Sequence, residues 1–207
     1  MSPRIRITIA LSLSFIFCLS FLFAPGHSLW IIKSFGIVTL GVNALFLLWE
    51  FIFWKIPFWS KYTSSPPFIN GTWKGTLYSN YKNPKDNSTK VPIEVFLVIN
   101  QTSDLVTKVA FYSEESSSSA ITSPALTKNG EQWEFSYVYQ NHSKYDLRNS
   151  SPIHNGTVLL TLDNEKNKTM QGSYWTDRCT RGEIKFTQYS KATATNFSKA
   201  KELFPKE

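Results

Sequence analysis

The densest concentration of chemically useful side chains is the stretch Tyr174-Trp175-Thr176-Asp177-Arg178-Cys179-Thr180-Arg181-Gly182. Two guanidiniums this close supply planar, permanently charged donors suited to bidentate hydrogen bonds with phosphate. Tyr137, Tyr139 and Tyr174 offer flat faces on which a nucleobase can stack, and Thr176 adds a hydroxyl. A bland alternative stands beside this reading, in which Arg178 closes a barrel over Trp73 and Arg181 is exposed in a turn. The Ser116 to Ser119 run, with Ser118 in it, reads either as a flexible bulge or as hydroxyl donors at the mouth of a site. Tyr78, with Asn80 and Tyr81, which are open to the same two readings, completes the candidate set at the end of an earlier extended segment.

Other chemistry is not signalled. His27, His142 and His154 lack the close pairing of a zinc site. No Gly-rich phosphate loop, nucleophile elbow or zincin helix is present, and the carboxylates are scattered on expected outer faces. The expectation is a binding module with no catalytic residue, no metal and no resident cofactor. The chain has 22 Lys+Arg against 15 Asp+Glu, a mild excess without the dense basic runs of a DNA- or RNA-binding protein. Cys18 and Cys179 lie in different parts of the sequence, so no disulfide framework can be built, which fits a reducing compartment.

The elements that must position these residues are strands. From Phe68 to Gln188 the pattern alternates with period two and is rich in Val, Ile, Thr, Tyr, Phe and Trp. Expected strands run from Gly71 to Asn80, Val91 to Asn100, Leu105 to Ser113, Ser118 to Leu126, Gln132 to Gln140, Gly156 to Asp163, Thr169 to Asp177 and Gly182 to Tyr189. Asn129-Gly130 and the Asp163 to Asn167 stretch are hairpin-type connections. Eight antiparallel strands in this length predict a small up-and-down, lipocalin-like β-barrel able to hold one ligand. Ile93, Val95, Leu97 and Ile99 fall on its interior face, as do Trp133, Phe135, Tyr137 and Tyr139, and Val158, Leu160 and Leu162. Along the strands from Trp133 and Met170 this interior turns from apolar to hydroxylated and then cationic, which predicts a barrel packed at one end and open at the other.

The N-terminal 60 residues differ in kind. Ile7 to Ala24 is uncharged, and Ser34 to Trp54 is uncharged up to Glu50 and ends among aromatics. Two transmembrane helices, about 7–24 and 32–54, are expected. Arg4 and Arg6 precede the first and Lys55 and Lys61 follow the second, while the Pro25-Gly26-His27-Ser28 turn has no basic residue. The positive-inside rule then places both termini and the barrel in the cytoplasm. Asn43 and Glu50 are the polar residues of the second run, read either as tolerated singly and snorkelling or as oligomer contacts. A cleaved signal peptide is the rival reading, favoured by sequons at Asn70, Asn87, Asn100, Asn141, Asn149, Asn155, Asn167 and Asn196. A linker at 61–67 and a polar tail at 191–207, with one short helix, flank the barrel at 68–190.

Asn70-Gly71-Thr72-Trp73-Lys74-Gly75, Glu114 to Ala120, Trp133 to Tyr139, His154-Asn155-Gly156-Thr157 and Gly172 to Gly182 together resemble one family. Preceded by two hydrophobic helices, they are similar to the membrane-anchored β-barrel effectors of CBASS antiphage operons, the CD-NTase-associated proteins. The resemblance implies a bacterial inner-membrane protein whose cytoplasmic barrel binds a cyclic oligonucleotide made by a partner CD-NTase. It also implies ligand-induced self-association and disruption of the lipid bilayer, aborting infection. Two other classes remain: a tethered lipocalin-like carrier for an apolar ligand, which requires a wholly apolar cavity, and an extracytoplasmic glycoprotein domain.

Overall fold

The computed structural model describes residues 11–16, 30–56, 66–82, 88, 92–102, 105–163 and 169–205, the side chains at 30–37, 50 and 54 excepted. The chain divides into two compact units, Met1–Trp59 and Ser60–Glu207.

In the first unit, residues 11–16 are helical and a second helix runs Trp30–Phe51, followed by a 3₁₀ turn at Phe53–Lys55. Val38, Val42, Leu45, Phe46, Leu47 and Leu48 of the longer helix are all exposed. Asn43 is the exception, buried and donating from Nδ2 to Ser14 Oγ at 3.1 Å. A carboxamide and a hydroxyl are thereby satisfied between the two helical stretches, so Asn43 is used within the chain. The Glu50 side chain lies outside the described residues. Among the described residues no helix is long and apolar enough to cross a membrane. The stretch whose side chains are described, 38–49, is shorter than the roughly 20 residues a span needs, and most of the expected first span is outside the described set.

The second unit is a barrel of nine strand segments: β1 Gly71–Ser79, β2 Ile93–Gln101, β3 Val106–Ser113, β4 Ser116–Ala120, β5 Ala125–Asn129, β6 Gln132–Ser143, β7 His154–Asp163, β8 Thr169–Thr176 and β9 Arg181–Ser190. Every pairing is antiparallel, in the order β4-β3-β2-β1-β9-β8-β7-β6-β5, and an additional β4–β6 pairing closes the ring. β4 and β5 lie end to end along β6, opposite Tyr139 to Ser143 and Gln132 to Ser136 respectively. They act as one staggered strand of an eight-stranded barrel. The single strand expected from Ser118 to Leu126 is therefore corrected to two pieces. Between them Pro124 has no N–H to give a ladder. The expected Asn129-Gly130 hairpin is present, with Gly130 at φ +61° in the left-handed region.

The alternation works as the period requires. Val95, Leu97, Ile99, Phe135, Leu160, Met170 and Phe186 are buried inside. The entry segment plugs one end. Ile69 is buried there, its N–H donating to Gln101 Oε1 at 2.8 Å and its carbonyl accepting from Trp73 Nε1 at 2.9 Å. Gln101 Nε2 in turn donates to the Pro67 carbonyl at 2.9 Å, so the backbone that crosses the barrel end finds partners without water.

β2 reads as a continuous apolar run because both its faces are covered. Phe96 and Val98 point outward and are buried under Ala194, Ala200, Phe197, Leu203 and Phe204 of the C-terminal segment. Its short helix, Phe197–Glu202, is capped by Asn196 Oδ1 accepting from Lys199 N at 2.8 Å. The tail expected to be polar thus carries an apolar stripe that closes over the barrel wall.

Candidate functional site

The end opposite the plug opens into a cavity of about 720 Å³, within the range of small-ligand sites. It is walled by the later halves of β1, β3, β6 and β8 and the starts of β2 and β7. On β6 every second residue points in, giving Phe135, Tyr137, Tyr139, Asn141 and Ser143, all buried. The two tyrosine rings are neighbours, with centroids 6.1 Å apart. Gly156, paired with Tyr139 across β6 and β7, lacks the Cβ that would collide with the Tyr139 ring. A glycine is therefore what allows Tyr139 to lean across the wall.

The β8–β9 turn delivers the cation. Thr176 N donates to Thr180 O at 2.9 Å, the two threonine hydroxyls meet at 2.6 Å, and Cys179 takes φ +60°. Asp177 is tied to Asn155 through Asp177 N to Asn155 O at 3.0 Å and Asn155 N to Asp177 Oδ2 at 2.9 Å. Held this way, Arg178 turns into the cavity. Its Nη1 donates to Ser151 Oγ at 3.3 Å, its Nη2 lies 3.4 Å from His154 Nε2, and its guanidinium carbon sits 5.5 Å from the Tyr81 ring centroid. Its Nε is buried and has no hydrogen-bond partner among the described residues. A desolvated guanidinium donor left unpaired is costly unless something else completes it.

His154 Nδ1 lies 3.0 Å from the Pro152 carbonyl. A carbonyl only accepts, so Nδ1 carries the proton and Nε2 presents its lone pair to Arg178. Burial holds the His154 pKa below the ordinary imidazole value, and Arg178 lowers it further. Burial also raises the hydroxyls of Tyr137 and Tyr139 well above the ordinary phenol range, with Tyr139 adding to the shift at Tyr137 and Tyr174 to that at Tyr139, and it raises that of Tyr174 against the opposing bond to Ser79. All three are neutral donors at physiological pH. Tyr174 is already committed, donating to Ser79 Oγ at 2.6 Å. Carboxylates Glu114 and Glu115, at the β3–β4 turn, also line this cavity. Among the described residues no group of three or more His, Cys, Asp or Glu is arranged to hold a metal.

Of the residues singled out in the sequence, Ser118, Tyr137, Tyr139, Tyr174, Thr176 and Arg178 line this cavity. Three do not. Tyr78 is half-exposed because its position in β1 has the outward parity, Leu77 and Ser79 being the inward neighbours. Asn80 and Arg181 join the two strand ends from outside, Arg181 N donating to Asn80 Oδ1 at 2.8 Å and Asn80 N to Arg181 O at 3.1 Å. Arg178 meets Tyr81; Trp73 lies toward the plugged end, bonded to Ile69. Tyr81, ambiguous in the sequence, lines the cavity too, whereas sequence reasoning missed Asn141, Ser151 and His154. They lie in the β6–β7 loop or at the strand ends beside it, beyond the apolar alternation, where periodicity carries no signal.

The cavity contains Arg178, Tyr139 and Thr176, so it is not the wholly apolar pocket of an apolar-ligand carrier. Asn141, a sequon residue, is buried in its wall, where it is closed to a glycan.

A closed eight-stranded barrel whose internal cavity presents tyrosine rings, hydroxyls and a guanidinium has the form of a small-ligand-binding barrel. The family model for the Cap15 cyclic dinucleotide receptor domain matches residues 64–188. The chain belongs to this family, as its sequence motifs implied, and its role is that of a CBASS effector's sensing domain. No curated protein and no solved structure matches it.

Proposed function

We propose that the barrel cavity binds a cyclic dinucleotide, with Arg178 anchoring a phosphate and Tyr137, Tyr139 and Tyr174 facing the bases. Ser118 and Thr176 add hydroxyls to the ligand shell. The observation that carries this reading is Arg178. Two of its nitrogens are held by Ser151 and His154, a ring lies beneath it, and the remaining Nε is buried without a partner at the cavity wall. A phosphate oxygen is an acceptor of the right charge for that donor.

In this reading the bound chain self-associates and its hydrophobic N-terminus disrupts the bacterial inner membrane. The exposed apolar side chains Val38, Val42, Leu45, Phe46, Leu47, Leu48 and Phe51 of the second helix support membrane residence, since so much apolar helix surface is unfavourable in water. The basic residues flanking the two hydrophobic runs support a cytoplasmic barrel, the compartment in which a CD-NTase makes its product. Ligand binding drives assembly only if the assembly-competent state binds more tightly than the resting one.

The test is titration calorimetry of the full-length chain in detergent with cyclic dinucleotides, followed by sedimentation. Saturable binding that falls at least about 30-fold in Arg178→Ala is expected, because a buried charged hydrogen bond is worth roughly 2 kcal/mol or more. Growth of the sedimentation coefficient on saturation is expected as well. Binding that survives Arg178→Ala removes the proposed phosphate site, and sedimentation unchanged at saturation removes the assembly step.

A further inference from the structure

Three connections of the open end meet at one side chain. Tyr81 is half-buried at the start of the β1–β2 loop and lines the cavity. Its N–H donates to Ser79 Oγ at 3.1 Å, and the same oxygen accepts from the Tyr174 hydroxyl at 2.6 Å. Its own hydroxyl donates to the Ser150 carbonyl of the β6–β7 loop at 2.7 Å, a bond between positions 69 residues apart. Its ring centroid lies 5.5 Å from the guanidinium carbon of Arg178, which the β8–β9 turn delivers. The next loop residue, Ser151, accepts from Arg178 Nη1 at 3.3 Å and from the Ser143 hydroxyl at 2.9 Å.

These contacts form a closed circuit. It runs from the Tyr81 ring to Arg178, on to Ser151, along the backbone to Ser150 and back through the Tyr81 hydroxyl. An arginine side chain has one of the largest rotamer entropies of any residue, and a binding group that is already fixed loses less on meeting its ligand. The unpartnered Nε of Arg178 is aimed at a set place in the cavity wall only while the rest of the guanidinium is held. An aromatic face holds a half-buried guanidinium more firmly than an exposed one, because less water competes for it.

We infer that Tyr81 is the positioning residue of the site. Its ring holds the Arg178 guanidinium, and its hydroxyl fastens the β6–β7 loop so that Ser151 stays within reach of the same guanidinium. Through Ser79 it also ties the phosphate anchor to Tyr174, one of the rings assigned to the bases. Phosphate and base contacts are thereby set relative to one another before a ligand arrives. Tyr81 acts on the ligand through Arg178, so its contribution disappears when Arg178 is removed.

This inference rests on the proposed role of Arg178 as phosphate anchor, and the experiment keeps the two claims apart. Full-length chain in detergent is prepared as wild type, Tyr81→Phe, Tyr81→Leu, Arg178→Ala and the Tyr81→Leu/Arg178→Ala double variant, with thermal unfolding as a check on folding. The first readout needs no ligand. Magnetic relaxation of the Arg178 Nε–H group, assigned by its loss in Arg178→Ala, should report a rigid side chain in the wild type and in Tyr81→Phe, which keeps the ring, and a mobile one in Tyr81→Leu. Hydrogen exchange at Ser150 and Ser151 should rise in both Tyr81 variants, since both lose the hydroxyl. The second readout is affinity for cyclic di-AMP, cyclic di-GMP and cyclic GMP-AMP. For whichever of these binds, Tyr81→Leu should lose roughly 3- to 30-fold in the wild-type background and less than about 2-fold in the Arg178→Ala background. An Arg178 Nε–H as rigid in folded Tyr81→Leu as in the wild type overturns the assignment of Tyr81, and so do losses that simply add. A wild type that binds none of the three, or an Arg178→Ala chain that binds as tightly as the wild type, removes the phosphate anchor itself and this inference with it.

Discussion

The two ends of the barrel are built from the same eight strands and differ in what their inward side chains leave undone. At the plugged end Trp73, Phe135, Leu160, Met170 and Phe186 fill the interior, and the polar atoms of Ile69, Gln101 and Trp73 are paired with one another or with neighbouring backbone. At the open end the same parity carries Tyr137, Tyr139, Asn141, Thr176 and the turn-borne Arg178, and there the Arg178 Nε lacks a protein partner among the described residues. Stability is concentrated where polar groups are satisfied. Binding capacity is concentrated where they are not.

This contrast can be broken by substitution. The largest effect on folding is expected at the plugged end, where Phe135→Ala removes a fully buried ring and should cost about 3 to 5 kcal/mol in chemical denaturation. Tyr139→Phe, at the open end, should cost far less in the same measurement while weakening the ligand. If both variants lose stability equally, the division between the ends fails.

Gln101→Ala comes next. It strands the Ile69 N–H and the Pro67 carbonyl and should cost about 1 to 3 kcal/mol. Hydrogen exchange should rise first at residues 67–70. At the open end, Tyr174→Phe removes the 2.6 Å bond to Ser79 and should cost only about 1 kcal/mol.

The smallest effect is a pH dependence. Because burial depresses the folded-state pKa of His154, the unfolded chain takes up a proton more readily once pH falls below about 6.5, the ordinary imidazole value. The stability present above that pH should therefore decline as pH falls toward the folded pKa. His154→Gln should flatten the decline in a series of melts from pH 7.5 to 5. A wild-type profile already flat over that range would show that His154 is not held neutral by the fold.

Much of this was legible in the residues alone. Period-two alternation in Trp133 to Tyr139 and in Val158 to Leu162 assigned inward faces that the fold uses, since strand geometry leaves each side chain only two directions. The same rule places Tyr78 outside once Leu77 and Ser79 are seen to be inward. The break between β4 and β5 was not legible, because Ser116 to Ala120 has no apolar rhythm and is held as a strand by β3 and β6. The C-terminal segment was read as a polar tail because its apolar residues are sparse. They align into a stripe only against Phe96 and Val98.

The sequence by itself determined an eight-stranded barrel with a hydrophobic N-terminal segment, the inward set on most strands, and Arg178 with three tyrosines as the interior chemistry. These follow from local rules: alternation, apolar run length and side-chain type. Tertiary structure alone decided that β6 extends through polar Asn141 and Ser143, that Tyr81 and Ser151 from two separate loops and His154 from the start of β7 converge on Arg178, and that Asn80 and Arg181 remain outside. Contacts between distant loops are set by strand register and barrel closure, and neither leaves a periodic trace in the chain.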